Sequence, residues 1–350
     1  MCDINTIIKY PLLTMLSIGK KSFENMGRCI NKSGDTISRL LKPASVSFIQ
    51  SRRIAQSIFA NKKSLYLSID DTLIKKIYSK LMWGSGRFYD TKIGRCITAY
   101  RLMIGMISDG KNYIPIDCAY LFAKELIIMS STEFPTKDDI AKLIVEIAIK
   151  LFPNATITVV VDGLYSTVNF LTWCKSKNIR LEARMHSNRV VEYNGESIKL
   201  KDLLNMRGLC PKGRQEARTI SIVWHNIDLE LTIVRRFDKN GNESIVFQIS
   251  TYKSLPREHV ANYKKRWSIE MLNRTTKQAL GLQECYSRSL EKQHNHVASV
   301  LLAYSLAQLE MKISRLDTPE KAIRHCKTKS LNFLIKRFTR LISANQHIYA

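Results

Sequence analysis

The chain opens without long β-branched runs, and residues 1–63 read as short helices. Within them SFENMGRCINKSGDTISRLLKP has the order helix, turn, helix, with NKSG as the turn and Ser33 or Asp35 capping the second helix. Thr36, Ser38 and Arg39 would project from that helix's first turns, where a recognition helix meets base edges or phosphates; an ordinary helical hairpin has the same pattern. From residue 64 the texture changes. SLYLSIDD is β-rich and ends in two aspartates, and ITAYRLMIGMISDGKNYIPIDCAYLF predicts two strands joined at Asp109-Gly110. TKDDIAKLIVEIAIKLF has helical apolar spacing behind a Thr136 cap, and ATITVVVDG is a continuous apolar run of the kind buried on both faces of a sheet. LYSTVNFLTWCKSKN then reads as a helix and IRLEARM as a strand. The order strand, hairpin, helix, strand, helix, strand predicts an α/β unit with a mixed sheet.

Beyond Met185 the period shortens again. RTISIVW, IDLELTIVRRF and ESIVFQIST form three alternating strands with a DKNGN turn, so residues 186–255 read as a β-rich insertion. NYKKRWSIEMLNRTTK, residues 262–277, reads as one amphipathic helix. At about 100° per residue Tyr263, Arg266, Glu270 and Lys277 share a narrow polar stripe, while Ile269, Leu272, Ala279 and Leu280 fall on a core-facing flank. The remainder is helical and basic, and a solvated helix face is the plain reading of its charge run over 312–340.

Charge changes the picture. Fifty-five Lys and Arg against 30 Asp and Glu give +25, which favours a polyanionic partner, nucleic acid before an anionic membrane. With 45% hydrophobic residues the chain is not a disordered one. No apolar run reaches the roughly 20 residues that span a bilayer, and the start lacks the basic lead of a signal peptide. The eight cysteines are scattered without metal-ligand spacing, which suits reduced thiols and a cytoplasmic setting. HNH at 294–296 is too little for a zinc site and reads as an ordinary helical surface.

Two aspartates stand where α/β proteins place chemistry, at predicted strand ends: Asp71 after SLYLSID and Asp162 after TITVVVD. Packing explains an acid after a β-branched run poorly, since a lone buried carboxylate is costly. The plainer alternatives are a capping role for Asp162 and a polar strand end for Asp70 and Asp71. With Glu270 the set becomes three acids from three elements in a strongly basic chain. Such hard oxygen donors suit Mg²⁺, with Mn²⁺ as a substitute, and paired ions of this kind activate a hydroxyl for in-line attack on a phosphodiester.

The run Y-x₂-R-x₃-E-x₆-K at 263–277 resembles the signature helix of bacterial DDE insertion-sequence transposases. SIDDTLIK resembles that family's first-aspartate block, VVVDGLYST its second, and LEARMHSNRVV a strand that ends in an Arg and a polar loop. The likeness covers roughly residues 64–305. It implies a ribonuclease H-like core interrupted by a β-strand insertion, and cut-and-paste DNA transposition by a homodimer on paired element ends. The implied division is 1–63 helical and DNA-binding, 64–185 the first part of the core, 186–255 the insertion, 256–310 core completion with the catalytic helix, and 311–350 a basic helical tail. Matched by position, Asp71, Asp162 and Glu270 would hold metal, Asp71 being preferred because it directly precedes Thr72, with Asp70 as the substitute. Tyr263, Arg266 and Lys277 would contact DNA phosphates. Phe247 or Trp224 would be the insertion's base-stacking aromatic, unless both are sheet core. The implied partners are DNA of the terminal inverted repeats and of the target, in a cytoplasmic, nucleoid-associated setting. Two rivals share these features: a transposase-derived DNA-binding protein without chemistry, and a metal-dependent nuclease of the same fold that cuts without joining.

Overall fold

In the computed structural model, residues 3–77, 82–123, 133–206, 208–211 and 217–344 are described. Their centre is a mixed sheet of eleven strands. The strands are β1 (Ser64–Lys75), β2 (Gly86–Asp90), β3 (Arg95–Ser108), β4 (Tyr113–Leu121), β5 (Thr156–Val161), β6 (Arg180–Met185), β7 (Val190–Tyr193), β8 (Glu196–Lys199), β9 (Ala217–Trp224), β10 (Ile227–Phe237) and β11 (Glu243–Ser250). The order along the sheet is β2-β3-β1-β5-β6-β11-β10-β9-β7-β8, with β4 on β3. β1, β5 and β6 are parallel neighbours, while β3 and β4 extend the sheet antiparallel from β1. This is the ribonuclease H-like arrangement, and β11, β10 and β9 continue it antiparallel beyond β6.

Local signals account for many of the joints. The β3–β4 turn runs through Asp109-Gly110, with Gly110 at φ +88. Helix α5 (Lys137–Leu151) starts with a capping box, in which Thr136 and Asp139 satisfy each other's backbone N–H groups. It packs so tightly on β3 that a Cβ on Gly105 would stand 2.2 Å from Ile144 Cγ2. A 3₁₀ turn at Gly163–Tyr165 and helix α6 (Val168–Ser176) connect β5 to β6.

The amino-terminal helices are α1 (Ile4–Leu16), α2 (Phe23–Arg28), α3 (Gly34–Leu40) and α4 (Ala44–Phe59). Ser33 caps α3, its Oγ accepting from Thr36 N. After the sheet come α7 (Pro256–Lys264), α8 (Trp267–Gln278), α9 (Leu290–Ile313), α10 (Pro319–Lys327) and α11 (Leu331–Ala344). Helix α9 has no solvent face along most of its length and is buried from Gln293 to Met311 except at His294, wrapped on every side. Helices α1, α4, α10 and strand β4 pack around it, in the same hydrophobic core as the sheet. Of the basic tail, Arg337 turns inward to the buried Glu310 of α9, Nε to Oε2 at 3.0 Å.

The HNH stretch lies on α9 and is interior rather than surface. Asn295 Oδ1 accepts from Ala44 N at 2.9 Å, and His296 is fully buried. Gly281 O can only accept, so His296 Nε2 carries the proton toward it at 2.9 Å and Nδ1 accepts from Tyr10 Oη at 2.8 Å. Burial pushes His296 down to about 4. A histidine depressed in the folded state is neutral there and protonated in the unfolded chain below its ordinary value near 6.5. Stability is therefore present above about pH 6.5 and lost as pH falls toward 4, by about 3 kcal/mol from this group. Urea midpoints measured from pH 7 to 4.5 should fall more steeply for the wild type than for His296→Gln; parallel curves would refute the assignment.

Candidate active site

Strand β1 carries two adjacent aspartates, and alternation sends them to opposite faces of the sheet. The strand does not end at them; it runs on to Lys75. Its parallel pairing with β5 ends at Ile69↔Val161, so the next pair of positions is Asp70 and Asp162. In register, these two share a face, and Thr72 follows on the same side.

Helices α7 and α8 cover that face. The sequence reading of one continuous helix over 262–277 is corrected here. Lys265 and Arg266 form a tightened joint in which Lys265 N, Arg266 N and Ser268 N each bond the carbonyl three residues back. Arg266 thus sits at the start of α8, Glu270 in its first turn and Lys277 in its last. Arg266 bridges the carboxylates: Nη1 stands 3.5 Å from Asp70 Oδ2, and Nη2 bonds Glu270 Oε1. At the far end Lys277 Nζ donates to Thr72 Oγ1 at 2.5 Å. Burial, then repulsion from Asp162 and Asp71, pushes Asp70 up to about 7, with Arg266 only partly offsetting them. Asp162 Oδ1 also caps the following turn, accepting from Leu164 N at 2.8 Å.

Asp71 faces the other way. Arg101 Nε lies 2.6 Å from its Oδ2, Lys137 Nζ 2.8 Å from its Oδ1, and Tyr165 Oη donates to Oδ1 at 3.3 Å. Burial would raise this carboxyl, but Arg101 and Lys137 more than offset it and hold it below the usual range. The structure therefore sets Asp70 beside Asp162, links it to Glu270 through Arg266, and leaves the preferred Asp71 among Arg101, Lys137 and Tyr165 beneath α5. The physical reason is strand alternation, which adjacency to Thr72 does not reveal.

The remaining expectations divide. Tyr263 is 7% exposed, too deep to meet DNA directly. It stands within hydrogen-bonding reach of Arg266 and walls a cavity of about 360 Å³ beside Asp162, Arg184, His186 and Phe247. Phe247 and Trp224 are both buried in the sheet, as their core reading has it. The exposed aromatic at the site is one not singled out from sequence, Trp267, 62% exposed and adjacent to Arg266. Its signal was the Arg-Trp pair inside the quoted motif, on a helix whose break could not be read.

The donor set is three carboxylates from a strand, a strand end and a helix, with one of them destabilised as an anion by burial beside another. That chemistry fits a hard divalent cation. With Glu270 turned to Arg266, no cluster of three or more His, Cys, Asp or Glu able to hold a metal is formed among the described residues.

A family described as "Transposase DDE domain" matches residues 127–306, just over half of the chain. Asp162 and Glu270 fall inside the match, and both β1 aspartates fall before it. No curated protein matches the chain.

Proposed function

The chain belongs to the transposase DDE domain family, and from that premise we propose that it cuts and rejoins phosphodiester bonds at the ends of a mobile DNA element. Asp70, Asp162 and Glu270 would hold Mg²⁺ or Mn²⁺, which when bound would activate the attacking hydroxyl and stabilise the leaving oxygen. One observation supports this reading: Arg266 bridges Asp70 to Glu270, and the β1–β5 register sets Asp70 beside Asp162.

The chain's own residues have separable tasks. Arg266 neutralises Asp70 and Glu270, and a phosphate arriving at the site competes with those carboxylates for the same guanidinium. Tyr263 braces Arg266 from behind rather than touching DNA. Lys277, held down to about 8 by burial and by Lys92 and Lys75, is still mostly protonated near pH 7, and a phosphate beside it would offset that repulsion. Trp267 offers an open ring for a base unstacked at the cut end. The partners on this reading are terminal-repeat and target DNA, the assembly a homodimer on paired ends, and the setting the cytoplasm with the nucleoid. Residues 1–63 would contribute end recognition and 186–255 the insertion's contacts.

Strand cleavage of an end-bearing plasmid tests this. Wild type should nick in Mg²⁺ and join the excised end to a second plasmid. Asp162→Asn and Glu270→Gln should each lose at least about a thousandfold in nicking, about 4 kcal/mol, while still binding the ends. Nicking without joining would favour the nuclease, and no metal-dependent nicking the silent DNA-binding protein.

A further inference from the structure

Strand β2 and the first half of β3 form an exposed two-stranded ribbon. The pairing runs Gly86↔Ala99 to Asp90↔Arg95, closed by a four-residue turn. That turn is built, not loose. Asp90 O accepts from Ile93 N at 3.1 Å and Gly94 N at 2.8 Å, Asp90 Oδ1 accepts from Lys92 N at 2.9 Å, and Gly94 has φ +71. Both ends are fixed: at the foot a Cβ on Gly86 would stand 2.3 Å from Ala123 Cβ, and at the turn Lys75 of β1 holds Asp90 at 2.5 Å.

With Asp90 neutralised by Lys75, the ribbon's remaining charges are Arg87, Lys92 and Arg95, all exposed, and Tyr89 between them is 61% exposed. A solvated hairpin is the plain reading of such residues, and one exposed tyrosine needs no explanation. The positive charge, however, does not stop at the ribbon. Lys92 and Lys75 crowd Lys277 in the last turn of α8, so like charges are gathered from three elements. Concentrated repulsion of this kind is what a polyanion relieves.

Asp70 pairs with Ile104 on β3, and Arg95 lies nine residues earlier on that strand, a path of about 30 Å along the chain at about 3.3 Å per residue. The ribbon's turn comes back closer than that path, because Lys75 holds Asp90 and Lys92 lies near enough to Lys277 to repel it. A duplex seated on the site would therefore meet the ribbon beside Lys277. Position selects which duplex. Leu290 at the start of α9 lies 3.3 Å from where a Cβ of Gly84 would stand, at the ribbon's foot. Two residues on, Lys292 Nζ donates to Ser38 Oγ of α3 at 3.1 Å. The ribbon and the α2–α3 hairpin therefore flank the same rim.

We propose that the β2–β3 ribbon is a second grip on the element-end duplex, docking inside the cut site on the α2–α3 side. Arg87, Lys92 and Arg95 would hold phosphates there, while Tyr89 packs against the groove wall; a two-stranded ribbon of this width fits a major groove. This rests on the transposase reading but not on its chemistry.

The test uses the full chain in EDTA with a duplex carrying the inverted repeat that borders the reading frame and its natural flank. Binding is followed by anisotropy across a salt series and by hydroxyl-radical footprinting. R87Q/K92Q/R95Q should keep the wild-type melting temperature, lose a protected patch inside the repeat, and flatten the log–log salt slope by about 2.7. Tyr89→Ala should weaken binding while keeping the patch and the slope, because the phosphate contacts remain. A wild-type footprint and slope in the triple variant would overturn the ribbon's role, and loss of protection on the flank instead would overturn its assignment to the element end. A chain that binds as described but never nicks in Mg²⁺ would refute the proposed chemistry and leave the ribbon standing.

Discussion

Asp70→Asn is expected to reduce metal-dependent nicking by at least about a thousandfold and, at pH 8, to raise the melting temperature of the free protein. Asp71→Asn should do the opposite to stability. The two effects have separate origins in one strand. Asp70 is buried beside Asp162, and its carboxyl titrates near 7 instead of near 3.8. A carboxyl raised in the folded state opposes folding once ionised, and the penalty is absent below the unfolded value and complete above about pH 7. Asparagine removes it, while also removing a donor to the cation. Asp71 loses Arg101 and Lys137 instead, two partly exposed charge-assisted contacts worth about 1–2 kcal/mol together after screening. Calorimetric titration with Mn²⁺ separates them further: binding should vanish in Asp70→Asn and persist in Asp71→Asn. Retained Mn²⁺ binding in Asp70→Asn, with loss in Asp71→Asn, would return the first ligand to the residue before Thr72.

That contrast marks where sequence stops being informative. Signals acting over a few residues were legible: the Asp109-Gly110 turn, the Thr136 cap, Ser33 ahead of α3, and the apolar run of β5. The Asn194-Gly195 turn between β7 and β8 was equally local, with both residues at positive φ, but its four-residue strands are too short to show alternation. What was not legible depends on pairing. Whether Asp70 or Asp71 faces Asp162 follows from the β1–β5 register, and no spacing within β1 encodes it. The break between Tyr263 and Arg266 likewise escapes periodicity, because a 3₁₀ joint of this length leaves the apolar pattern of the flanking helices intact. His296 was misread as surface because polar residues on a helix usually face water, and only the packing of α1 against α9 buries it.

Replacing either Glu182 or His259 alone with Leu is expected to cost about 3–5 kcal/mol, and replacing both together far less than the sum. Glu182 lies on β6, faces α7, and is 0% exposed. Its Oε1 meets His259 Nδ1 at 2.7 Å and accepts from Tyr252 Oη at 2.6 Å. Asn262 Nδ2 donates to that tyrosine at 2.9 Å, and Tyr66 Oη of β1 donates to Asn262 Oδ1 at 3.0 Å. Burial raises Glu182, with His259, Tyr252 and Asn262 opposing it, so the carboxyl depends on those partners. Removing one member strands the other away from water, whereas removing both leaves an apolar contact between β6 and α7. The consequence reaches the site because Tyr263, in the last turn of α7, braces Arg266 between Asp70 and Glu270. Urea unfolding of the two single variants and the double should give a coupling of about 2 kcal/mol or more. Nicking measured where all three are folded should fall in the single variants and recover in the double if the pair acts by seating α7. Single-variant losses below about 1 kcal/mol, the range of an exposed pair, would mean that α7 is held by its apolar contacts alone.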